Sequence, residues 1–595
     1  MRCPPKPAFY PDTVTDVAFP HWSVEAVLAS RPLVRVNQVG YLPGRPNQAT
    51  LVTDTRHPLP FTVRVPGGAS VWSGRSTPWP RRPEPTSGLA VHVLDFTTAG
   101  VHGRDVRVEV DGHRSHPFAV RTDAYGGLAR DALGVFRLLR SGAPLRDDVP
   151  AGYARPAGHA GHPPNRGDTA VTAWTGPDAE RLYPGWRCPG TFDVSGGWYD
   201  AGDYGKYVTS GSIAVWQLLS TLVLLPTMPT AGSTGLAETV REECRWQLDW
   251  LLRMQVPDGA PLAGMAFHRV HGTEWSPVPG WAHEDPTERV LHRPSTPATL
   301  QLAAAAAHGA RHFGGTDPAY VRRLLAAAKT AYAAAARHPQ LGAPDDHARF
   351  GGGPYGDDDP TDDRYWAAAE LWLVTGDQTY LEDMRASPLH TADVFDLAGF
   401  DFDRVAGLAR LDLALYGAHL PDHDHVRYGV ADAADRLLAL QAAQPWGQPY
   451  APGEGWDWGS NGRILNNLVV LVVAHLLTGN REYGNGVATG MDYLLGRNGL
   501  GQSYVTGYGT DYSRHQRTRQ FGHDLDPAFP PPPPGALAGG PNSRPHPDFP
   551  YDERLADLAP QLCYLDEPTS EVTNDICIRW NAPLVYVSSF LNVSR

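Results

Sequence analysis

The 595-residue sequence is poor in cysteine and has no metal or redox spacing. Its five cysteines, Cys3, Cys188, Cys244, Cys563 and Cys577, form an odd, scattered set, which excludes a disulfide framework. No CxxC or HExxH pattern occurs, and the common zinc sites go with it. No Lys/Arg run is present and the formal net charge is −13, which argues against a nucleic-acid partner. Met1 to Trp22 lacks a basic segment followed by an apolar run, so no signal peptide is visible. The longest apolar run, Leu468 to Leu477, is too short to span a bilayer. A cytoplasmic protein without a membrane partner is therefore expected, and a secreted one if a leader was removed. Nothing resembles a phosphate-binding glycine loop, a serine-nucleophile elbow or a nicotinamide fingerprint.

What is present is ordinary for a globular protein: 42% hydrophobic and 19% charged residues. The length allows two to four domains. Seventeen Trp and 24 Tyr suit the apolar faces of sugar rings, although most of them are expected to fill the core. The acidic balance fits a cleft that protonates a neutral substrate, and fits simple solubility equally well.

Along the chain, residues 1–31 form an N-terminal extension. Residues 32–122 contain five alternating or β-branched runs, Leu33–Asn37, Ala49–Asp54, Phe61–Val65, Leu89–Phe96 and Arg104–Val110, separated by Pro/Gly turns. That spacing predicts an immunoglobulin-like β-sandwich. Residues 123–595 hold roughly twelve helical stretches, as six concentric hairpins would need. Ten examples are 131–142, 210–225, 235–255, 295–313, 318–338, 362–376, 424–443, 466–478, 482–497 and 580–592. Long Gly/Pro/Asp loops lie between them, and loops of that length are usually functional. Pro530–Pro534 reads as a stiff spacer.

The segment Asp193-Val-Ser-Gly-Gly-Trp-Tyr-Asp-Ala-Gly-Asp-Tyr-Gly-Lys-Tyr207 carries the chemistry. Asp200 and Asp203 stand three apart, with Ala201 and Gly202 leaving room for a tight turn and a ligand. Two acids in one turn grip a water from two sides, one as base and the other as orienter. An Asx turn or a cation site fits the residues alone equally well.

This segment resembles the signature of glycoside hydrolase family 9, which includes many cellulases, and the likeness runs nearly end to end. It includes Arg35–Pro43, His292–Leu300, Gly351–Tyr355 with Tyr365–Glu370, Trp458–Asn461, Leu495–Asn498, Gly539–Ser543 and Trp580–Leu584. The resemblance implies an N-terminal immunoglobulin-like β-sandwich followed by an all-α (α/α)6 barrel, and an inverting mechanism with Asp203 as general base and Asp200 helping to hold the water. Inversion needs acid and base about 6.5–9.5 Å apart.

Two departures stand out. Where the family places a Glu after Asn before the last helix, this chain has Asp575 in Thr573-Asn574-Asp575-Ile576. The lost methylene retracts the carboxyl by about 1.5 Å. Asp575 is favoured as the acid; Glu571, where the family usually has an aromatic, is the alternative. In Arg514-His-Gln-Arg-Thr-Arg519 the family has a His near an Arg. Either His515 pairs with Arg517, or Arg519 is the family Arg and Arg517 has replaced the His; the second register is preferred slightly. Tyr204, beside the base, is expected to line the site. Trp456 and Trp458 are candidate sugar platforms or core residues. His283, Glu284 and Asp285 lie in a loop with reach to the cleft and no clear role. No cofactor is required; the run Asp357–Asp363 offers ligands for a structural calcium, and equally a solvated helix start. The expected substrate is a cellodextrin-type β-1,4-glucan, bound by a monomer, since no carbohydrate-binding module follows the barrel. The rivals are an impaired carbohydrate-binding homologue and an exo-glycosidase on amino or acidic sugars.

Overall fold

The computed structural model describes residues 23–146, 149–227, 230–345, 350–546, 549 and 551–593. Of the expected N-terminal extension, residues 1–22 lie outside that set, Cys3 with them; the rest forms a short helix, Val24–Ser30, capped by the Ser23 hydroxyl. The four described cysteines are free and buried.

Alternation along the next ninety residues builds two sheets. The first pairs β1 (Val34–Arg35), β3 (Gln48–Val52), β7 (Val91–Asp95) and β6 (Thr77–Pro78), in that order. The second runs β2 (Gly40–Tyr41), β10 (Phe118–Val120), β8 (Gly103–Val110), β4 (Pro60–Arg64) and β5 (Ser70–Arg75), with β9 (His113–Arg114) on β8. The period of two explains the packing. Val106, Val108 and Val110 of β8 are buried, as are Phe61 and Val63 of β4 beside them, while Arg107 and Glu109 of β8 face outward. Tyr41, Phe96 and Phe118 fill the middle edge to face. The sandwich is fastened to the helical part by polar anchors. Asn37 donates to Asp492 and to the Tyr125 hydroxyl, and the Trp446 indole donates to Glu84.

Twelve barrel helices follow among the described residues: α1 Gly126–Leu138, α2 Val208–Ser220, α3 Thr230–Arg253, α4 Thr296–Phe313, α5 Pro318–Arg337, α6 Thr361–Thr375, α7 Gln378–Ala386, α8 Ala406–Tyr416, α9 His423–Ala442, α10 Ser460–Thr478, α11 Arg481–Leu494 and α12 Ile578–Val593. The inner ring is α2, α4, α6, α8, α10 and α12, each touching the next and α12 touching α2. Each inner helix packs an outer one against its back: α3, α5, α7, α9, α11 and α1. Inner helices are buried on nearly every side, as all thirteen residues of α2 are. Helix α4 achieves this with Ala303–Ala307, whose small side chains let neighbours close in, and it starts at the Ser295 cap. Outer helices bury one stripe; in α5 it is Tyr320, Leu324, Ala328, Ala331 and Ala335. Helix α10 is long and apolar enough to cross a membrane by length and composition, but here it is an inner stave of the barrel. Two helices, α7 and α8, are not among the ten named from the sequence. The first is only 9 residues long, and α8 is buried through Ala414 and shows no amphipathic period.

The inner helices start at one end of the barrel, and the loops just before them meet there. A small sheet braces that end. Its strands are Thr191–Phe192, Val171–Ala173, Arg289–Leu291, Arg269–Gly272 and Lys206–Tyr207, in spatial order.

Candidate active site

A cavity of about 410 Å³ opens at this end, within the usual range for small-ligand sites. Asp203 comes from the loop before α2, Tyr355 from that before α6, Asp401 from that before α8, Trp458 from that before α10 and Asp575 from that before α12; all five line it. Asp200 lies directly behind the floor.

The turn holding the two aspartates is tightly specified. Asp200 N–H donates to Gly205 O at 3.0 Å, and Ile578 N–H donates to Asp200 O at 2.8 Å. The Asp200 carboxylate accepts short hydrogen bonds from the Ser210 and Tyr355 hydroxyls, and a weak one from the Cys577 thiol at 3.7 Å. Burial pushes its pKa up to about 6, against the pull of nearby Arg579 and those hydroxyls. Asp203 accepts from Gly205 N–H at 2.9 Å and from the Tyr207 hydroxyl at 3.1 Å. Burial raises it as well, opposed chiefly by Arg519.

Gly202, between them, is the crossing point. Its N–H donates to Asp575 Oδ1 at 2.9 Å, and its carbonyl accepts from both the backbone N–H and Nη1 of Arg519, each at 3.0 Å. A Cβ here would collide with the Arg517 carbonyl and with Asp575 Oδ1, so only glycine admits this approach. Asp575 Oδ1 also accepts from Ile576 N–H at 2.8 Å. The segment carrying it is laid against the turn by Arg517 N–H to Asn574 O at 2.9 Å and by Gly539 N–H to Asp575 O at 2.8 Å. This close approach brings the shortened side chain to the aspartate turn. Burial holds Asp575 well above the usual carboxylate range, reinforced by Glu571 and Asp203 and only partly offset by the two N–H groups. Glu571 lines the same cavity and pairs with Arg517 at 3.5 Å.

The remaining expected residues divide. Arg517, Arg519 and Trp458 line the cavity. His515 does not; it is partly exposed and paired with Asp524 at 2.7 Å, so the register that faces the cleft is Arg517 with Arg519. Trp456 is not a sugar platform: its ring is 3% exposed and packs against Tyr450 and Tyr493. Tyr204 does not line the cavity either. Its ring is buried among Tyr199 and His159, and its hydroxyl donates to Gly280 O. Asp285 is a buried partner of His159 at 3.3 Å, behind the site.

Sequence reasoning missed several lining residues. Arg579 sits on the cavity floor, ion-paired with Asp401 at 3.2 Å and packed over Tyr355, Phe402 and Trp580. Trp275 and Trp458 flank Phe549 and form an aromatic wall. Tyr355 and Trp580 lay inside segments already noted for their family likeness, and that was the available signal.

Two clusters bear on metals. Asp357, Asp362 and Asp363 crowd together with Asp359 and Asp403. Burial and then mutual repulsion push Asp357 up to about 8; burial pushes Asp362 up to about 6, with Asp359 adding to it. Asp357 Oδ2 and Asp363 Oδ2 are buried without a hydrogen-bond partner. An all-oxygen, anionic set with unsatisfied buried oxygens fits Ca²⁺. At the other end of α4, ligand atoms of His308, Glu370 and Asp412 lie within 4.8 Å of one another. There the Arg311 guanidinium already bridges both carboxylates and supplies the positive charge.

The sequence matches the family model for glycosyl hydrolase family 9 over residues 125–588 and that for the cellulase N-terminal ig-like domain over 29–115. It is 46% identical over 575 residues to Endoglucanase C of Cellulomonas fimi, covering 94% of this chain and 52% of that protein. To a cellulose 1,4-beta-cellobiosidase of Acetivibrio thermocellus it is 37% identical over 618 residues, covering 96% and 68%. The chain thus spans about half the length of the first of these relatives. Among solved structures, a metagenome-derived glycoside hydrolase family 9 endoglucanase superposes with a TM-score of 0.81 at 29% identity, covering 94% of this chain and 99% of that one.

Proposed function

The chain belongs to glycosyl hydrolase family 9, and on that premise we propose that it hydrolyses β-1,4-glucan chains with inversion. Asp203 is the general base, Asp200 holds the attacking water with it, and Asp575 is the general acid. The relatives named for endoglucanase and cellobiosidase activity support the substrate class. The observation that carries the assignment of roles is the Gly202 peptide, which ties the Asp575 carboxyl to the residue next to Asp203 inside one cavity.

The two environments favour different protonation states. Asp203 has the cationic Arg519 and two hydrogen-bond donors. Asp575 has only backbone N–H donors and two acidic neighbours. Carboxyls driven apart in this way divide into a base and an acid. Glu571 is the weaker candidate for the acid because its carboxylate is engaged with Arg517. Trp275, Trp458 and Phe549 supply apolar faces for glucosyl rings. Four of the cleft arginines are ion-paired, Arg463 and Arg579 sharing Asp401, Arg544 with Asp457 and Arg517 with Glu571, which weighs against an acidic-sugar substrate.

Calcium at the Asp357–Asp363 cluster would hold the loop that delivers Tyr355 to Asp200; its chemistry is structural, balancing carboxylate charge. The decisive test is hydrolysis of cello-oligosaccharides followed by NMR of the fresh product. The α-anomer is expected, with no product from Asp203→Asn. A β-anomer would overturn inversion, and binding without product would overturn catalysis.

A further inference from the structure

Besides the backbone bond from Asp200 N–H to Gly205 O, one lysine joins the two sides of the turn that bears Asp200 and Asp203. Lys206 follows the base by three residues and enters the small sheet, pairing with Val270. Its side chain turns back beneath the turn and is fully buried, as is Asp168. The ammonium donates to Val194 O at 2.9 Å and Gly196 O at 2.7 Å, and meets Asp168 Oδ2 at 2.7 Å. An ammonium has three donors, and all three are used. All three acceptors lie upstream of Asp200, two of them within seven residues of it, whereas the lysine itself lies downstream of Asp203. Nζ therefore joins both ends of the loop that carries the catalytic pair.

The carbonyls it grips are presented by an unusual backbone. Gly196 and Gly197 have φ of 87° and 75°, the left-handed region that glycine adopts without cost. A Cβ on Gly197 would strike the Trp250 ring, 5.5 Å from whose centroid the ammonium lies. Asp168 is fixed in turn by Arg289 at 2.8 Å, and its own carbonyl accepts from Val194 N–H at 2.8 Å. From Lys206 the chain runs directly into Tyr207, whose hydroxyl donates to Asp203.

We propose that Lys206 is a positioning residue for hydrolysis, a strap that sets the distance of Asp203 from its acid partner, with Asp168 as the counter-ion that lets the ammonium be buried. This rests on Asp203 being the base. A burial cost this large is reasonable only where three directed bonds are needed at once; a hydrophobic side chain would fill the space without fixing two carbonyls.

The experiment compares Lys206→Met with Lys206→Gln, whose amide keeps two N–H donors without the charge, measuring kcat and KM on cellohexaose and the melting temperature of each. A base displaced by about 1 Å loses on the order of 10² in rate. Lys206→Met should therefore lower kcat about 10- to 100-fold and change KM less than about 3-fold. Asp168 keeps its buried partner Arg289 in both variants, so Lys206→Gln, which restores directed bonds to the carbonyls, should recover part of the lost kcat. It also answers the question if Lys206→Met alone fails to fold. Equal kcat in the two variants would overturn the proposal, because the directed bonds to the carbonyls would then not matter. Asp203→Asn, assayed alongside, separates the two claims. If it stays active, the base assignment falls and the strap with it. An inactive Asp203→Asn beside a fully active Lys206→Met removes the strap alone.

Discussion

Replacing Asp575 by Asn tests the acid with little else disturbed. The amide oxygen still accepts from Gly202 N–H and Ile576 N–H, now at 2.9 and 2.8 Å, so the turn beneath Asp203 keeps its anchor. What is lost is the carboxyl that donates in the proposed mechanism, in a cavity where burial and two acidic neighbours raise its affinity for a proton. General-acid catalysis typically contributes about 10²–10⁴, or about 2.7–5.4 kcal/mol at about 1.36 kcal/mol per decade. That whole amount is expected as a loss in kcat/KM on cello-oligosaccharides, whose sugar leaving group must be protonated. A dinitrophenyl cello-oligosaccharide departs without a proton and should lose less than about 10-fold. The wild-type enzyme on natural substrate should also fall in activity as pH rises through the elevated pKa of Asp575, because the deprotonated carboxylate cannot donate. On the activated substrate the variant should lack that alkaline limb. Equal losses on both substrates would refute the reasoning and turn attention to Glu571.

Asp203→Ala should cut turnover about 10²–10⁴-fold on both substrate types, since water must be activated whatever the leaving group; near-wild-type rates would remove it as base. Trp458→Ala should raise KM by about 2- to 10-fold, the worth of one aromatic contact, with little change in melting temperature. Trp456→Ala should do the reverse, costing about 3–5 kcal/mol of stability as measured by denaturant unfolding of the intact chain. Asp357 and Asp362, at about 8 and about 6, bind protons more tightly folded than unfolded. Without metal, stability should therefore fall as pH rises from 5 to 8. Calcium binds the deprotonated set, so it should raise the melting temperature more at pH 8 than at pH 5; an equal shift at both would count against the site.

How much of this was legible in the sequence varied with the range of the interaction. The sandwich strands were readable because each buries one face, as Val106, Val108 and Val110 do. The aspartate turn was readable because its glycines and acids are contiguous. Trp456 and Trp458, two apart in one glycine-rich loop, were not separable. Tyr450 and Tyr493 pack on Trp456 and make it the internal ring, and Tyr493 comes from the following outer helix. The link from Tyr355 to Asp200 spans 155 residues, and Arg579 meets Asp401 from the far end of the chain. His515 and Arg517 were likewise undecided until Asp524 was seen to hold the histidine outside.

The arrangement also explains how four carboxyls, three lining the cavity and Asp200 behind its floor, can do different work. Asp200, Asp203, Glu571 and Asp575 come from the segments just before α2 and α12, whose N-terminal ends favour negative charge. That general field does not discriminate among them. The discrimination comes from specific cations. Arg579 acts on Asp200, Arg519 on Asp203 and Arg517 on Glu571. Asp575 has no such partner among the interactions that set its state; its nearest charges are Glu571 and Asp203, both acidic. Burial and these two neighbours hold Asp575 well above the usual carboxylate range, opposed chiefly by the Gly202 and Ile576 N–H groups. Its segment lies across the turn from Asp203, the arrangement that the proposed inverting mechanism asks of its acid. In that proposed mechanism the arginines would act less as substrate ligands than in leaving Asp575 as the carboxyl that donates.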